Sequence, residues 1–377
     1  MERALELAEH GLTVAHPNPA VGAVVVRGGE VVGEGYHRGP GTPHAEVEAL
    51  EAAGNRAQGS DLYVTLEPCV HHGRTPPCVD RIQTSGIRRV FVGALDPDEK
   101  VRGKGVATLS DRGIEVFAEM ARGSVYRLDP AYFVHRTKGR PYVVLKVAAT
   151  LDGLMAATDG SSRWITSEEA RADAHRMRGL ADGVAVGIET VLADDPDLSC
   201  RLEGFSGRQP IRVVFDSRGR IPHTAKMLGA GAPVVVLAMQ GGAGPLAERL
   251  KAAGKKLFVA HSDGPELPFD VLEMPEVVIA EVSRHNEGLS VSSALEFLGR
   301  LGVVHLLVEG GSRLLGSFLR EPDAADRLTI YVAAKTLGGG KPIASGAHTT
   351  ISDARNWRIQ EVSRLGPDLK IEASPIR

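Results

Sequence analysis

His44-Ala45-Glu46, Pro68-Cys69 and Cys78 supply one imidazole, two thiols and one carboxylate from a short stretch of chain. Imidazole and thiolate together suit zinc, and three protein ligands leave the fourth tetrahedral position open to water. Zinc lowers the pKa of such a water from about 15.7 to roughly 7. A carboxylate beside the imidazole, itself not a ligand, then has a proton to carry. The set predicts a hydrolytic deaminase with His44, Cys69 and Cys78 as metal ligands and Glu46 as the catalytic acid–base. A lone buried cysteine is usually a small hydrophobe, so it is the combination that points to metal.

The spacing departs from the Cys-x-x-Cys of the general zinc-deaminase signature. Eight residues, Val70 to Pro77, separate the two cysteines. They are expected to bulge between the ligands and line the pocket mouth. His71 and His72 lie in this insert, but the catalytic set is complete without them. Cys200, after Asp197-Leu198-Ser199, is expected to be a non-ligand.

Positioning these groups requires alternating elements. Ala4, Leu5, Ala8 and Leu12 fit one helical face. Val21 to Val26 reads as a buried strand, and Gly28-Gly29 turns it into a returning strand over Val31 to Gly35. A helix is expected from His44 to Ala53, a strand from Leu62 to Leu66, and a second helix opening at Pro76-Pro77. Arg89 to Gly93 is the next strand, residues 106–117 a helix and strand, and 119–138 helical and polar. Composition changes at Lys138-Gly139-Arg140-Pro141, which predicts two domains, 1–139 and 140–377. Beyond it, strands are expected at 142–147, 183–187, 211–215, 233–238, 256–260, 277–282, 304–308 and 327–333, with helices at 167–179, 292–301 and 312–320. That is an α/β pattern around a mostly parallel sheet, ending strand after strand as at an antiparallel edge. Residues 240–290 and the tail after Pro367 carry no motif.

The length of 377 residues suits two cores rather than one. Net charge is −3, which disfavours nucleic acid as a partner, because phosphate neutralisation needs a basic surface. Three cysteines read as a reducing, cytoplasmic setting. No apolar run reaches the ~18 residues of a membrane span, and the N-terminus lacks the pattern of a signal peptide.

The residues carry a resemblance that extends over nearly the whole chain. His16-Pro17-Asn18-Pro19-Ala20, Gly33 to His37, Pro43 to Val47, Thr65 to Cys69, Gly73 to Cys78 and Ala94 to Pro97 match in the first half. Leu151-Asp152-Gly153, Ser162 to Ser167, Thr190 to Pro196 and Val308-Glu309-Gly310-Gly311 match in the second. The chain resembles the bifunctional deaminase–reductases of riboflavin biosynthesis, the branch in which the long insert between the cysteines occurs.

The resemblance implies a cytidine-deaminase-like domain followed by a dihydrofolate-reductase-like domain. It implies zinc-dependent deamination of 2,5-diamino-6-ribosylamino-4(3H)-pyrimidinone 5′-phosphate, then reduction of the ribosyl group to ribityl by NADPH. Asn18, His37, Arg74 and Asp96 are implied as deaminase substrate contacts. Asp98 stands where the family usually has asparagine, which puts an amide contact there in doubt. Ala148, Trp164, Thr190, Asp194, Ser217 and Gly311 are implied at NADPH. Ser162, Arg178, Leu198, Arg201 and Glu309 are implied at the phosphosugar, with Arg178 and Arg201 as phosphate partners. A homo-oligomer, dimer or tetramer, is also implied.

Read by itself, the second half is less informative. No Gly-x-Gly-x-x-Gly follows its first strand. The one local pointer is a strand running into Glu309-Gly310-Gly311-Ser312, which exposes backbone N–H groups at a helix start. Lys146, on an otherwise apolar strand, is either a satisfied buried cation or a site residue, and Trp164 either a site or a core residue. Two rival readings remain at this level: a nucleoside or guanine-type deaminase with an unrelated second domain, and a non-catalytic zinc module.

Overall fold

The structure, a computed structural model, describes residues 1–73, 75–229, 231–285, 288–346 and 350–376. The chain divides into two compact units, Met1–Gly139 and Arg140–Arg377.

The first unit is built on a five-stranded sheet of order β2-β1-β3-β4-β5. Its strands are β1 (Gly22–Arg27), β2 (Glu30–Tyr36), β3 (Asp61–Leu66), β4 (Arg89–Ala94) and β5 (Glu115–Phe117). β1 pairs antiparallel with β2 and β3, whereas β3, β4 and β5 run parallel. The helices are α1 (Glu2–Glu9), α2 (Ala45–Ala53), α3 (Cys78–Thr84), α4 (Lys104–Asp111), α5 (Arg122–Leu128) and α6 (Pro130–Lys138). Ala23, Val25, Ala45, Ala49, Leu62, Val64, Ile82, Val90, Val92 and Leu109 are buried in the core between sheet and helices. α2 sits close on the β1–β2 hairpin for a steric reason. A Cβ at Gly35 would stand 2.6 Å from the Ala45 carbonyl oxygen and the Ala49 nitrogen. Glycine there lets the first turn of α2, which follows His44 and contains Glu46, press against the sheet.

Two expectations change here. Leu12 lies in a turn beyond α1, because that helix ends at Glu9. The stretch 119–138, expected to be helical, forms two helices, α5 and α6. They are separated at Asp129, which leaves the helical region (φ −132, ψ 66) and accepts the Tyr132 N–H as the cap of α6, with Pro130 at the first position.

The second unit holds a ten-stranded sheet. In chain order its strands and those of its small ribbons are β6 (Tyr142–Thr150), β7 (Leu154–Ala156), β8 (Gly183–Gly187), β9 (Ile211–Phe215), β10 (Val234–Met239), β11 (Leu257–His261), β12 (Val277–Val282), β13 (Arg284–His285), β14 (Gly288–Leu289), β15 (His305–Val308), β16 (Arg327–Ala333), β17 (Lys341–Pro342), β18 (Trp357–Leu365) and β19 (Asp368–Pro375). The main sheet runs β11-β12-β10-β9-β8-β15-β6-β16-β19-β18. Pairing is parallel from β11 through β16, and antiparallel for β16–β19 and β18–β19. The connecting helices are α7 (Glu168–Leu180), α8 (Ile188–Asp194), α9 (Ala243–Ala252), α10 (Val291–Arg300) and α11 (Ser312–Arg320). α9 lies in the stretch that carried no motif. Its Leu246, Ala247 and Leu250 are buried, but Gly242, Gly244 and Pro245 around its start mask the helical pattern. The tail after Pro367 is β19, the inner strand of the antiparallel edge.

Candidate active sites

The metal-ligand candidates converge. One ligand atom each from His44, Cys69 and Cys78 lies within 4.8 Å of the others. His44 is the residue before α2, with extended backbone, and Cys78 is the first residue of α3. Cys69 comes from the loop after β3 rather than from a helix start. His44 Nδ1 stands 3.1 Å from Cys78 Sγ and 3.6 Å from Cys69 Sγ. Its other nitrogen, Nε2, is 3.2 Å from Thr75 Oγ1. That contact orients the ring with Nδ1 toward the sulfurs, as partners of metal-bound imidazoles do. The Cys78 N–H points at Cys69 Sγ, 3.4 Å away.

The thiols titrate as a pair. The hydrogen bond from Cys78 holds the Cys69 thiol well below its ordinary value, while the same bond and burial push Cys78 up. Two cysteine sulfurs and an imidazole nitrogen around one point form the soft donor set that suits a zinc ion. His71 and His72 are exposed and outside this group, and Cys200 is buried elsewhere with its thiol on the His175 carbonyl.

Glu46, in the first turn of α2, is 4% exposed. Burial pushes its carboxyl above the ordinary carboxylate range, and the nearby His44 opposes this. A buried carboxyl beside the metal group is placed to take and return a proton.

Two implied substrate residues lie beside the metal group. Asn18 Nδ2 is 3.0 Å from His37 Nε2, and His37 Nδ1 is 3.2 Å from the Pro43 carbonyl. Burial pushes the His37 imidazole down, so it stays neutral. The His37 and His44 rings meet edge to face, with centroids 5.2 Å apart. Asp96 is buried and receives the Tyr132 hydroxyl at 3.1 and 3.3 Å. Burial raises its pKa to about 7, against the hydrogen bonds it accepts. Asp98, the departure from the family pattern, turns its carboxylate to Arg136 at 3.6 Å. Arg74 lies outside the described residues.

In the second unit, Lys146, Ala148, Ser162, Trp164 and Glu309 line one cavity of about 220 Å³, together with Arg171. Glu309 is its electrostatic centre. Arg178 grips both carboxylate oxygens, at 2.6 and 2.8 Å, and Lys146 Nζ lies 3.5 Å away. Burial alone would raise the Glu309 pKa, but Lys146 and Arg178 outweigh it and hold it at about 2. Lys146 is therefore a paired cation that also lines this cavity. Arg178 also donates to the Ser199 carbonyl at 3.0 Å, so this guanidinium is committed within the protein rather than standing free for a phosphate. Trp164 is no core residue. It is 67% exposed, with Arg171 over its ring at 4.4 Å.

Thr190 and Gly311 meet: a Cβ on Gly311 would lie 3.2 Å from Thr190 Oγ1. Gly310 and Gly311 adopt φ of 35° and 80° before α11, and the buried Ser312 hydroxyl has no hydrogen-bond partner among the described residues. Backbone N–H groups and an unsatisfied hydroxyl at a helix start fit a dinucleotide phosphate. Leu198 is buried at φ 63°. Asp194 and Arg201 are exposed, and they and Ser217 lie outside the lining of the cavity.

Known families match both units. A family model described as the RibD C-terminal domain covers residues 141–371, and one described as the cytidine and deoxycytidylate deaminase zinc-binding region covers residues 1–94. The chain belongs to the RibD family. The riboflavin biosynthesis protein RibD of Aquifex aeolicus is 41% identical over 372 residues, covering 98% of this chain and 96% of that protein. Among solved structures, Acinetobacter baumannii RibD superposes with a TM-score of 0.85 at 34% identity, covering 100% of this chain and 98% of that one. A Thermotoga maritima diaminohydroxyphosphoribosylaminopyrimidine deaminase/5-amino-6-(5-phosphoribosylamino)uracil reductase has a TM-score of 0.83 at 35% identity, with 100% and 97% covered. The RibD match makes the first unit a zinc-binding deaminase domain and the second a reductase domain.

Several residues of this RibD chain that shape the sites were not singled out by their sequence. Thr75 orients the His44 ring. Glu67, two residues before Cys69, accepts the N–H groups of Asp96, Gly103 and Val106 at 3.2, 2.9 and 3.1 Å. Asp129 and Tyr132 hold loops far away in sequence. Only the run Thr65-Leu66-Glu67-Pro68-Cys69 offered a local hint, for Glu67.

Proposed function

We infer that the chain catalyses two consecutive steps of riboflavin biosynthesis. The first is hydrolytic deamination of 2,5-diamino-6-ribosylamino-4(3H)-pyrimidinone 5′-phosphate, and the second is reduction of its ribosyl group to ribityl by NADPH. Residues 1–139 form the deaminase domain and 140–377 the reductase domain. The observation that carries this reading is the His44–Cys69–Cys78 group with buried Glu46 beside it, in a chain whose other half matches a RibD reductase domain.

Zinc, when bound, supplies the Lewis acidity that makes water a nucleophile at neutral pH. His44, Cys69 and Cys78 hold it. Glu46 takes a proton from the attacking water and returns it to the ring nitrogen. It then moves the second proton to the departing amine, so that C–NH2 and H2O become C=O and NH3. Asn18, His37, Arg74 and Asp96 orient the pyrimidine and its phosphate. In the reductase domain NADPH, when bound, would supply a hydride to the sugar C1′ as the C1′–O4′ bond opens and O4′ takes a proton from solvent. Ala148, Trp164, Thr190, Asp194, Ser217 and Gly311 hold NADPH, and Ser162, Arg178, Leu198, Arg201 and Glu309 the phosphosugar, with Lys146 beside them. Catalysis there rests on placing nicotinamide against the sugar carbon. Arg201, exposed and not engaged in an ion pair among the described residues, is the better candidate for the phosphate than Arg178.

No helix among the described residues is long and apolar enough to cross a membrane. A cytoplasmic setting fits the cysteine count, a small phosphoribosyl-pyrimidine rather than nucleic acid fits the net charge, and the family resemblance implies a homo-oligomer. The test follows ammonia and NADPH separately on the diaminopyrimidine phosphate. Glu46→Ala should keep its zinc and lose deamination by roughly 10²–10⁴-fold. It should reduce pre-deaminated substrate at the wild-type rate. Loss of both activities in this variant would refute the two-site assignment.

A further inference from the structure

Helix α6 ends at the boundary between the two units, and it lies beyond residues 1–94, where the deaminase match stops. Yet its side chains reach both substrate loops of the deaminase. Asp129, at its cap, accepts the Ala20 N–H at 3.1 Å and lies 3.3 Å from His16 Nε2, which fixes the ends of the loop holding Asn18. Arg136 donates to the Pro17 carbonyl of that same loop at 3.2 Å. On the other side, the Tyr132 hydroxyl donates to Asp96, and Arg136 pairs with Asp98. The Arg136 guanidinium lies 5.1 Å over the Tyr132 ring, so the two side chains act as one block. Tyr132 is 3% exposed and spends its only hydroxyl on a carboxylate implied in substrate binding.

We propose that Tyr132 and Arg136 are positioning residues of the deamination site, setting the Asn18 loop and the Asp96 loop at the separation the pyrimidine requires. The proposal rests on the deaminase reading above. Neither residue touches the zinc ligands, so their effect falls on substrate binding rather than on the metal. It also accounts for Asp98: Arg136 neutralises the carboxylate that stands where the family usually has an amide, and turns it toward α6.

The groups facing Asp96 are Tyr132 and Arg136 from α6 and Asp98 from its own loop, with Glu67 holding its backbone N–H. Removing the Tyr132 hydroxyl takes a donor from the ionised Asp96 and moves its titration to higher pH.

The test is steady-state deamination by full-length, zinc-loaded Tyr132→Phe and Arg136→Met across pH. The same preparations are assayed for zinc content and for reduction of pre-deaminated substrate. The expected result is a KM for deamination raised about ten-fold in each variant, with kcat changed far less. Zinc content and reduction stay at wild-type levels. The acidic limb of kcat/KM moves to higher pH in both variants, further in Tyr132→Phe, because the Tyr132 hydrogen bond lowers the Asp96 pKa more than the Arg136 charge does. An unchanged KM with full zinc would overturn the proposal. So would a parallel fall of kcat, zinc content and reduction, which would make these residues structural only. If the wild-type enzyme releases no ammonia from this substrate, it is the deaminase reading that fails.

Discussion

At the scale of single residues, buried carboxylates do different work according to what surrounds them. For Glu46 burial outweighs the opposing His44 charge and raises its pKa, as suits a proton carrier. Glu309 is buried to a similar degree, but Lys146 and Arg178 hold it at about 2. The sign of the pH dependence follows from that. Its folded pKa lies below the ordinary 4.5, so its stabilising contribution is complete above pH 4.5 and is lost as pH falls toward 2. A shift of this size corresponds to about 3 kcal/mol. The stability difference between wild type and Glu309→Gln, measured by denaturant unfolding, should therefore shrink steadily from pH 4.5 to 2. A constant difference over that range would show that Glu309 does not carry its charge into the folded state. Sequence alone left Lys146 open between paired cation and site residue. The ion pair joins residues 163 positions apart, a separation that no local pattern encodes.

At the scale of elements, the deaminase site is held by chain segments that meet around α4 and α6. α4 begins at Gly103 without a side-chain cap of its own. Glu67 serves instead from the end of β3, accepting the N–H groups of Gly103 and Val106 and placing a negative charge at a helix start. The same carboxylate takes the Asp96 N–H, so one side chain ties the loop carrying Asp96 to the strand that leads into Cys69. Glu67→Gln cannot accept three N–H groups equally, because one of its two terminal atoms is a donor. It should destabilise the first unit by about 1–3 kcal/mol. Amide exchange should accelerate at Asp96, Gly103 and Val106 and stay unchanged in the ten-stranded sheet. Equal protection in both proteins would contradict this role. The strands of that sheet from β8 to β16 were legible to within a residue, because apolar runs bounded by turn residues are local signals, whereas β6 runs three residues past its expected end and β18 and β19, half-exposed at the antiparallel edge, were not placed. α9 was not, because glycine and proline at its start hide a helix whose stability comes from packing Leu246 and Leu250. The break at Asp129 was missed for a related reason: a polar helix has little periodicity to lose.

At the scale of the whole molecule, each unit has its own buried core. One is centred on Val25, Leu62, Val64, Val90 and Val92, the other on Leu145, Val213, Val235, Val278 and Leu306. The second unit is anchored at its first residue, where buried Arg140 grips Asp326 at 2.6 and 3.0 Å. A metal chelator should therefore abolish ammonia release while leaving NADPH oxidation on pre-deaminated substrate intact, and should lower only the unfolding transition of the first unit, as calorimetry would resolve. A joint loss of both activities would contradict separate sites. The sequence by itself determined the chemistry of the first site, because ligand type, ligand order and the eight-residue insert are all local and carry the character of zinc deamination. It also determined the alternation of elements, since hydrophobic runs report burial directly. Only the tertiary structure decided that Cys69 and Cys78 meet beside His44, that Arg178 is spent on Glu309, that Trp164 is exposed, and that α6 reaches the loops of both Asn18 and Asp96. Each of those depends on which distant side chains become neighbours, and that is set by how the sheet and its helices pack, not by spacing along the chain.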